Sequence, residues 1–320
     1  MRPVALLLCF VLSFFVFFSC KKGQNFIGIT QAKKEFLGKE SQVLSIDSLI
    51  NVLKDSQNEQ VMVVAHRGDW RNAPENSLQA IKNCIEMGVD MVEIDVRMTK
   101  DSVFVLMHDQ TIDRTTTGSG SLSDFTYDSL QTFFLKNGLL QSTPHKIPTL
   151  EEALRVSKDK ILINLDTKDY QNLGKYYNLL KQTETLHQVV IKAPISKSEA
   201  QTIFGHYLDE IYFMPLVRTA EPGAMSRVKD YQEEDSPVAF EFTVPSDTTS
   251  LLRYFSSIRK KGSRVWVNAL RPEHCVGHDD EQAALDVSVY DWFIENSVNM
   301  IQTDRPALLI SYLQKRGLHH

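Results

Sequence analysis

The segment from residue 66 to residue 109 contains the histidines His66 and His108, the arginine Arg67 and the closely spaced carboxylates Glu93 and Asp95. Groups of these types could carry out acid–base or metal-assisted chemistry. His66-Arg67 and His108 each follow an apolar run, and Glu93 and Asp95 lie within another. Such groups are costly to bury alone, and α/β proteins gather them where strands end. The pattern therefore predicts an active site formed by the ends of several strands.

Glu93 and Asp95 are spaced so that both carboxylates point to the same side of a strand. Neighbouring anions repel each other unless a cation joins them, so the pair indicates either a salt bridge to an arginine or a metal site. Asp166 and Lys168 end a later strand, and Asp166 could be a third oxygen ligand. Three hard oxygen ligands favour Mg²⁺ or Ca²⁺ over zinc.

His66 and His108 are candidates for the general acid and base, because imidazoles exchange protons near neutral pH. With a metal, Arg67 and Lys168 would form an anion site that could hold a phosphodiester while a leaving alkoxide is protonated. The alternative is that strand-end histidines are structural. That interpretation is applied to the remaining histidines, and His319-His320 is expected to be a disordered tail.

The elements that position these residues are short apolar runs alternating with amphipathic helical patterns. The predicted strands are Val61–Ala65, Val89–Val96, Val103–Met107, Ile161–Leu165, Val189–Lys192, Ile211–Leu216, Val238–Phe242, Val265–Val267 and Asn299–Gln302. A parallel crossover needs about a dozen residues, and fewer separate Val96 from Val103, so these two runs must form a hairpin. Eight strands remain, which predicts an α/β fold of the TIM-like (β/α)8 barrel class with His108 leaning over its mouth.

The N-terminal residues 1–20 combine a positive start, a short apolar run and Cys20. This pattern predicts a lipoprotein-type signal peptide with Cys20 as the lipidated residue, and an uncleaved N-terminal anchor is the alternative. In either case we expect an exported protein attached to a bacterial membrane, periplasmic or at the cell surface.

The remaining chain divides into residues 21–58, predicted to be a polar tether with one short helix at Ser45–Lys54, and residues 59–320, predicted to be the barrel domain. Residues 112–148 are long for a connection between a strand and a helix. Because they follow the predicted hairpin, we expect this insertion after strand 2 to cover the active site.

Composition excludes some classes of protein. The net charge is −5 and the isoelectric point is about 6.0, without a basic stripe, so nucleic acid is not an expected partner. Outside the signal the chain has two cysteines, Cys84 and Cys275, which do not make a disulfide framework. The oligomeric state is left open by the sequence.

The ordered motifs resemble those of the glycerophosphodiester phosphodiesterases, within the wider group of phospholipase-C-like barrel phosphodiesterases. The resemblance spans residues 61 to about 315 and rests on His66-Arg67-Gly68, Pro74-Glu75-Asn76-Ser77, Gly88-Val89-Asp90, Glu93-Ile94-Asp95-Val96, Thr99-Lys100-Asp101, His108-Asp109, Arg114-Thr115-Thr116, Pro148 to Leu154, Asn164 to Lys168, Val265-Trp266-Val267-Asn268 and Gln302 to Pro306.

This resemblance implies a TIM-like barrel and a divalent metal held by Glu93, Asp95 and Asp166. It further implies His66 and His108 as acid and base, and Arg67 and Lys168 as phosphate-binding residues. Trp266, which lies in one of the motifs, is a further candidate substrate-binding residue. The third ligand is commonly glutamate in the family and is the shorter Asp166 here, so the metal would sit closer to that strand or reach Asp166 through water.

The predicted function is metal-dependent hydrolysis of glycerophosphodiesters to glycerol 3-phosphate and an alcohol, by water directly or through a cyclic phosphate. The alternatives are a lysophospholipase D or another phosphodiester head-group hydrolase on the same site, and a non-catalytic lipoprotein that binds phosphate esters. Residues 186–262 match the family weakly, and substrate preference is expected there. Glu241 could face the mouth or form a rim salt bridge.

Overall fold

The computed structural model describes residues 44–168, 172–233 and 235–320, and in these residues eight parallel strands close into a barrel. The strands are β1 (Met62–His66), β2 (Met91–Met98), β3 (Phe104–Leu106), β4 (Leu162–Thr167), β5 (Val189–Ala193), β6 (Tyr212–Arg218), β7 (Ala239–Thr243), β8 (Arg264–Asn268) and β9 (Met300–Thr303). All except β3 pair in parallel with their neighbours around the barrel, and β9 returns to β1. The predicted (β/α)8 barrel is therefore confirmed.

Helices surround the barrel and follow most of its strands. They are α1 (Ile46–Lys54), α2 (Leu78–Met87), α3 (Tyr127–Leu130), α4 (Leu150–Ser157), α5 (Leu173–Gln182), α6 (Lys197–Phe204), α7 (Ala224–Tyr231), α8 (Ser250–Lys260), α9 (Asp280–Ala283), α10 (Asp291–Glu295) and α11 (Pro306–Lys315). Thr149 and Glu152 form the capping box that begins α4. Among the helices that the structure describes, none has the length and apolarity needed to cross a membrane.

The predicted hairpin is present, and it explains how His108 reaches the mouth. Strand β3 is antiparallel to the last residues of β2, with Val96 opposite Leu106, and the amide of Met107 donates to the Asp95 carbonyl at 3.0 Å. The insertion that follows packs with the hairpin segment around a small apolar core, formed by Val105, Met107, Ile112, Leu122, Leu130, Leu135 and Ile147. The hairpin and the insertion therefore form a packed wall beside the barrel.

The inner face of each barrel strand changes from apolar to polar along its length. The inward-facing residues near the N-terminal ends, which include Met62, Val64, Met91, Leu162, Val190, Met214, Ala239, Trp266 and Met300, form a single apolar cluster. One or two pleats further along the same face lie His66, Glu93, Asp166, Lys192 and Glu241. The apolar layer supports the polar layer and separates it from the bottom of the barrel.

Helix α1 closes the bottom of the barrel, which corrects the prediction that residues up to 58 are a tether. Ile46, Leu49 and Leu53 are spaced to lie on one face of the helix, and all three join the apolar cluster inside the barrel. Ser45 caps the helix by accepting from the Ser48 amide at 3.2 Å. The described part of the predicted tether is thus built into the barrel domain.

The last residues of the chain are also part of the packed structure, so the prediction of a disordered tail at His319-His320 was wrong. The His319 ring donates through Nε2 to Asp90 Oδ2 at 3.0 Å, and only 8% of the residue is exposed. The amide of Val61 donates to the Leu318 carbonyl at 2.8 Å. The carboxylate of Asp90 also accepts from the Val63 amide at 2.7 Å, which ties this segment to the start of β1.

Candidate active site at the barrel mouth

A cavity of about 440 Å³ opens at the C-terminal ends of the strands, where the inner polar layer meets the loops. Its lining includes His66, Arg67, Trp70, Glu75, His108, Arg114, Arg271, His274 and Asp304, and from the insertion Thr115, Lys136, Asn137, Gly138 and Leu140. A volume of this size is typical of small-molecule sites. The insertion therefore forms one wall of the cavity, in the position expected for a segment that covers the site.

His66 is held by a carboxylate from the other end of the chain. Its Nδ1 donates to Asp304 Oδ1 at 2.8 Å, and the Trp70 indole donates to the same oxygen at 2.6 Å. Burial acts to raise the pKa of Asp304, but the hydrogen bond from His66 is a main reason why it stays below its usual value. An ionised Asp304 fixes the tautomer of His66, leaving Nε2 as the nitrogen that can exchange a proton with a substrate.

His108 is held in the same way by its neighbour in the sequence. Its Nδ1 donates to Asp109 Oδ1 at 2.7 Å, and Arg114 donates through Nε to Asp109 Oδ2 at 2.7 Å. The hydrogen bond from Arg114 is the main reason that the pKa of Asp109 is lowered to about 2. Arg114 also donates to both oxygens of Glu75, at 2.6 and 2.8 Å, which ties the insertion to the loop after β1.

The three predicted metal ligands converge beneath the cavity. Glu93, Asp95 and Asp166 each offer a carboxylate oxygen, and these oxygens all lie within 4.8 Å of one another. Strand register produces this convergence, because β2 and β4 place Asp95 opposite Asp166. Glu93 and Asp95 are nearly inaccessible to solvent. The Asp166 side chain is 27% exposed. Three carboxylate oxygens at this spacing fit a hard divalent cation.

Asp95 is fixed from several sides. Asn76 donates through Nδ2 to Asp95 Oδ2 at 2.9 Å and accepts from the Asp95 amide at 3.0 Å. Lys168 Nζ lies 3.0 Å from Asp95 Oδ1, and Arg67 Nε lies 3.3 Å from Oδ2. Burial acts to raise the pKa of Asp95, but Lys168 and Arg67 hold it far below its usual range. Asp95 therefore stays ionised, as a metal ligand must.

Lys168 is also in contact with the candidate ligands and is not among the residues that line the cavity. Its Nζ lies 2.8 Å from Asp166 Oδ2 as well as 3.0 Å from Asp95. Of the two predicted phosphate-binding residues, the structure thus brings Arg67 into the cavity and pairs Lys168 with the carboxylates beneath it.

The backbone turn after β1 orients Arg67 through a strained conformation. Arg67 has a φ of 56°, and its amide donates to Glu93 Oε2 at 3.1 Å. Its guanidinium donates to Glu75 Oε1 at 3.0 Å and also lies beside Asp95. A left-handed conformation is costly for arginine, and such strain is typical of functional sites.

Gly68 makes this turn possible, and its replacement should be costly. Gly68 has a φ of 78°, and a Cβ there would lie 2.7 Å from the Ala80 Cβ. We expect Gly68→Ala to lower the free energy of unfolding by about 3 kcal/mol, because it adds a clash to the strain. Gly223→Ala is the matched control, since Gly223 has a φ of 79° and open space around it. Chemical denaturation of both variants would measure the difference, and equal losses would contradict the close approach.

Lys192 and Glu241 complete the polar layer inside the barrel. Lys192 Nζ lies 3.4 Å from Glu93 Oε1, 3.6 Å from Asp166 Oδ2 and 3.4 Å from Glu241 Oε2. Burial acts to lower the pKa of Lys192, but Glu241, Glu93 and Asp166 raise it well above its usual value. Glu241 is 2% exposed, so it faces the inside of the barrel and does not form a rim salt bridge.

Trp266 does not line the cavity with His66, Arg67 and His108. It is fully buried in the apolar layer below Asn268, and its indole donates to Asn268 Oδ1 at 2.6 Å. Because inward-facing residues alternate along β8, Trp266 lies one pleat too deep to touch a substrate at the mouth.

Sequence reasoning missed several residues that the fold brings to the site. In the sequence, Asp304 indicates only the start of a helix, and Lys192 indicates only the end of a strand. His274 is interpreted from the sequence as a structural residue, whereas in the structure it lines the cavity. Burial lowers the pKa of the His274 imidazole. The motif that contains Glu75 and Asn76 is recognisable, but their contacts with Arg67 and Asp95 depend on the folded loop.

The sequence of the barrel domain matches a known protein family. Residues 66–307 match the family model described as "Glycerophosphoryl diester phosphodiesterase family". The chain is 41% identical over 111 residues to a glycerophosphodiester phosphodiesterase of Caldanaerobacter subterraneus, which covers 33% of this chain and 45% of that protein. It is 35% identical over 149 residues to glycerophosphodiester phosphodiesterase 1 of Homo sapiens, covering 45% and 42% of the two chains. The aligned segments span less than half the length of these relatives.

Solved structures share the fold over most of its length. A glycerophosphoryl diester phosphodiesterase from Parabacteroides distasonis superposes with a TM-score of 0.71 and 27% identity, over 87% of this chain and 94% of that chain. A phosphodiesterase from Oleispira antarctica, solved in complex with the product sn-glycerol-3-phosphate, gives a TM-score of 0.60 and 21% identity, over 81% and 99% of the two chains.

Proposed function

We propose, from the fact that this chain belongs to the glycerophosphoryl diester phosphodiesterase family, that it hydrolyses glycerophosphodiesters to glycerol 3-phosphate and an alcohol. The observation that carries the proposal is the pair of imidazoles at one cavity, each held at Nδ1 by a carboxylate, beside three converging acidic side chains. Two proton-transfer groups with an anion site match the needs of phosphodiester cleavage, in which one oxygen attacks phosphorus and another leaves.

The imidazoles would divide the two proton transfers. One histidine takes the proton of the attacking hydroxyl or water at its Nε2, and the other donates a proton from Nε2 to the leaving alkoxide oxygen. His66 and His108 belong to different elements, β1 and the segment after the hairpin, and line the same cavity. The guanidinium of Arg67, which contacts Glu75 and Asp95, would bind a phosphoryl oxygen.

Glu93, Asp95 and Asp166 would hold a divalent cation, Mg²⁺ or Ca²⁺, since their donor set is entirely oxygen. When bound, such an ion supplies positive charge that stabilises the charge developing on the phosphoryl oxygens. The shorter Asp166 is compatible with this role, because its carboxylate lies within the same 4.8 Å cluster as the other two.

A panel of phosphodiesters tests this proposal directly. The purified protein with Mg²⁺ or Ca²⁺ is expected to release glycerol 3-phosphate from glycerophosphodiesters that differ in the alcohol. Release of glycerol together with a phosphorylated alcohol would show that the other ester bond is cleaved. Binding without turnover would favour a phosphate-ester-binding protein instead.

A lysophospholipase D activity at the same site is a second candidate, because the mouth carries an apolar edge. Leu139 and Leu140 are 77% and 66% exposed at the tip of the insertion loop, and Leu140 also lines the cavity. The loop tip is held by Asn137, whose side-chain oxygen accepts from the amides of Leu139 and Gln141, both at 3.0 Å. An acyl chain leaving the cavity could cover these leucines. Faster turnover of lysophospholipids than of their deacylated counterparts would favour this candidate.

We further propose that the protein is exported and anchored to a bacterial membrane through a lipid on Cys20, a residue that lies outside the described ranges. The proposal rests on the short apolar run that ends at this cysteine. We expect Cys20→Ser to move the protein from the detergent-soluble membrane fraction to the soluble or unprocessed fraction, while Cys84→Ser should leave it membrane-bound. Unchanged membrane attachment of Cys20→Ser would contradict lipidation at this residue.

A further inference from the structure

Lys192 is a buried cation inside the barrel for which the proposed reaction has no use. Its side chain is 7% exposed and lies on the inner face of β5, directly above the apolar layer. Two of the carboxylates that it contacts, Glu93 and Asp166, are candidate metal ligands, and the third is Glu241 on β7. Lysines are rarely buried unless their charge is paired, so the burial of Lys192 among three carboxylates requires a structural or functional explanation.

Glu241 is held in place independently of Lys192. Asn268 donates through Nδ2 to Glu241 Oε1 at 2.8 Å, and Asn268 is in turn fixed by the indole of Trp266. The second oxygen, Oε2, is buried without a hydrogen bond and faces the Lys192 ammonium at 3.4 Å. Lys192 is therefore placed between a fixed carboxylate that takes no part in the ligand cluster and two carboxylates that do.

The charges of Lys192 and Glu241 have opposite effects on the affinity of the Glu93, Asp95 and Asp166 site for a cation. The Lys192 ammonium lies within 3.6 Å of two ligand oxygens, so it repels a divalent ion there and competes for the same carboxylates. The Glu241 carboxylate attracts the ion and draws Lys192 away from the ligands. At the separations involved, one unit charge inside a protein changes a binding constant by about tenfold or more.

We propose that Lys192 and Glu241 form a built-in ion pair that sets the divalent-cation affinity of the Glu93, Asp95 and Asp166 site and holds its carboxylates together when no ion is bound. Lys192 is thus a positioning residue that acts through the ligands. The inference rests on the metal site of the proposed function. It adds that the Lys192 ammonium weakens cation binding at this site and that the Glu241 carboxylate strengthens it.

The test is a double-mutant cycle read by calorimetric titration of the chelator-treated protein with Mg²⁺ and with Ca²⁺. Lys192→Met should bind the ion about tenfold more tightly than the wild type, and Glu241→Gln about tenfold more weakly. The double variant restores the charge balance and should return to within about threefold of the wild type. Lys181→Met, at an exposed lysine on α5, is the control for loss of a positive charge elsewhere.

Thermal unfolding provides a second measurement that does not depend on activity. Lys192→Met leaves Glu93, Asp166 and Glu241 without their shared cation, so it should be destabilised in chelator and should gain more from added ion than the wild type does. If Lys192→Met does not fold, Glu241→Gln still tests the inference, because glutamine has nearly the same shape as glutamate. Weaker ion binding by Glu241→Gln would support the inference, and equal or tighter binding would contradict it.

The possible outcomes separate this inference from the proposed function. Weaker ion binding by Lys192→Met, or unchanged binding by both single variants, would overturn the ion-pair role. Ion binding by the wild type would still support the metal site in either case. Ion binding by Lys192→Met but not by the wild type would support the ion-pair role and contradict a metal-dependent native enzyme. Absence of binding in all four proteins would overturn both.

Discussion

Replacement of His66 or His108 by alanine should reduce kcat by about a hundredfold to ten-thousandfold, because each removes one of two proton-transfer groups. Neither histidine side chain is part of the barrel core, since both line the cavity and are held by a carboxylate through Nδ1. The fold should therefore persist, and the melting temperature should change by only a few degrees. Steady-state release of glycerol 3-phosphate measures the first effect, and thermal unfolding measures the second.

His187→Ala is the matched control for these variants. His187 lies on the surface at 45% side-chain exposure, with Asp159 at 3.5 Å, and is outside the cavity lining. We expect this variant to retain wild-type kcat. Full activity in His66→Ala or in His108→Ala would reject the acid–base assignment, whereas an equal loss in His187→Ala would show that the assay reports stability.

Asp95→Asn should have the largest effect among the carboxylates. Asp95 is bound by Asn76, Lys168 and Arg67, so the loss of its charge affects the metal site and the phosphate-binding arginine together. We expect kcat/KM to fall by more than about a thousandfold and calorimetric binding of Mg²⁺ or Ca²⁺ to be lost or severely weakened. Asparagine has almost the same shape as aspartate, so the change tests charge more than packing.

Asp230→Asn is the corresponding control, because Asp230 is exposed on α7 and lies outside the carboxylate cluster. It should leave both the ion affinity and kcat/KM unchanged. Normal ion binding by Asp95→Asn would show that the cation uses a different ligand set.

The barrel and its hairpin can be predicted because spacing alone restricts how strands connect. Too few residues separate Val96 from Val103 for a parallel crossover, which leaves the antiparallel pairing that the structure has. The short connection also predicts that His108 leans over the barrel mouth, near the level of Glu93 and Asp95. Strand periodicity likewise places both carboxylates on one face.

The depth of a residue inside the barrel could not be predicted in the same way. Strand β8 is buried along its whole length and Trp266 lies between two valines, so the sequence pattern does not distinguish Trp266 in the lower layer from a residue at the mouth. Lys192 on β5 is surrounded by carboxylates from β2, β4 and β7, and that arrangement exists only after the barrel has closed. Asp304 presents a similar case, since its partner His66 is 238 positions away in the chain.

Two local patterns can be recognised in the sequence, but the surfaces against which they pack cannot be predicted from it. The α1 helix is expected, but its apolar stripe of Ile46, Leu49 and Leu53 needs a surface to cover it, and that surface is the bottom of the barrel. His319 is expected to be disordered because polar chain ends usually are, whereas its bond to the buried Asp90 holds it against the start of β1. In both cases the missing information is a contact distant in sequence.

The most direct measurement is the rate of glycerol 3-phosphate release from a glycerophosphodiester such as glycerophosphocholine, before and after removal of divalent ions with a chelator. We predict that chelation abolishes release and that Mg²⁺ or Ca²⁺ restores it. Restoration should fail in Asp95→Asn, where the ligand cluster around Glu93 and Asp166 is incomplete. Undiminished release in the presence of excess chelator would contradict a metal-dependent phosphodiesterase.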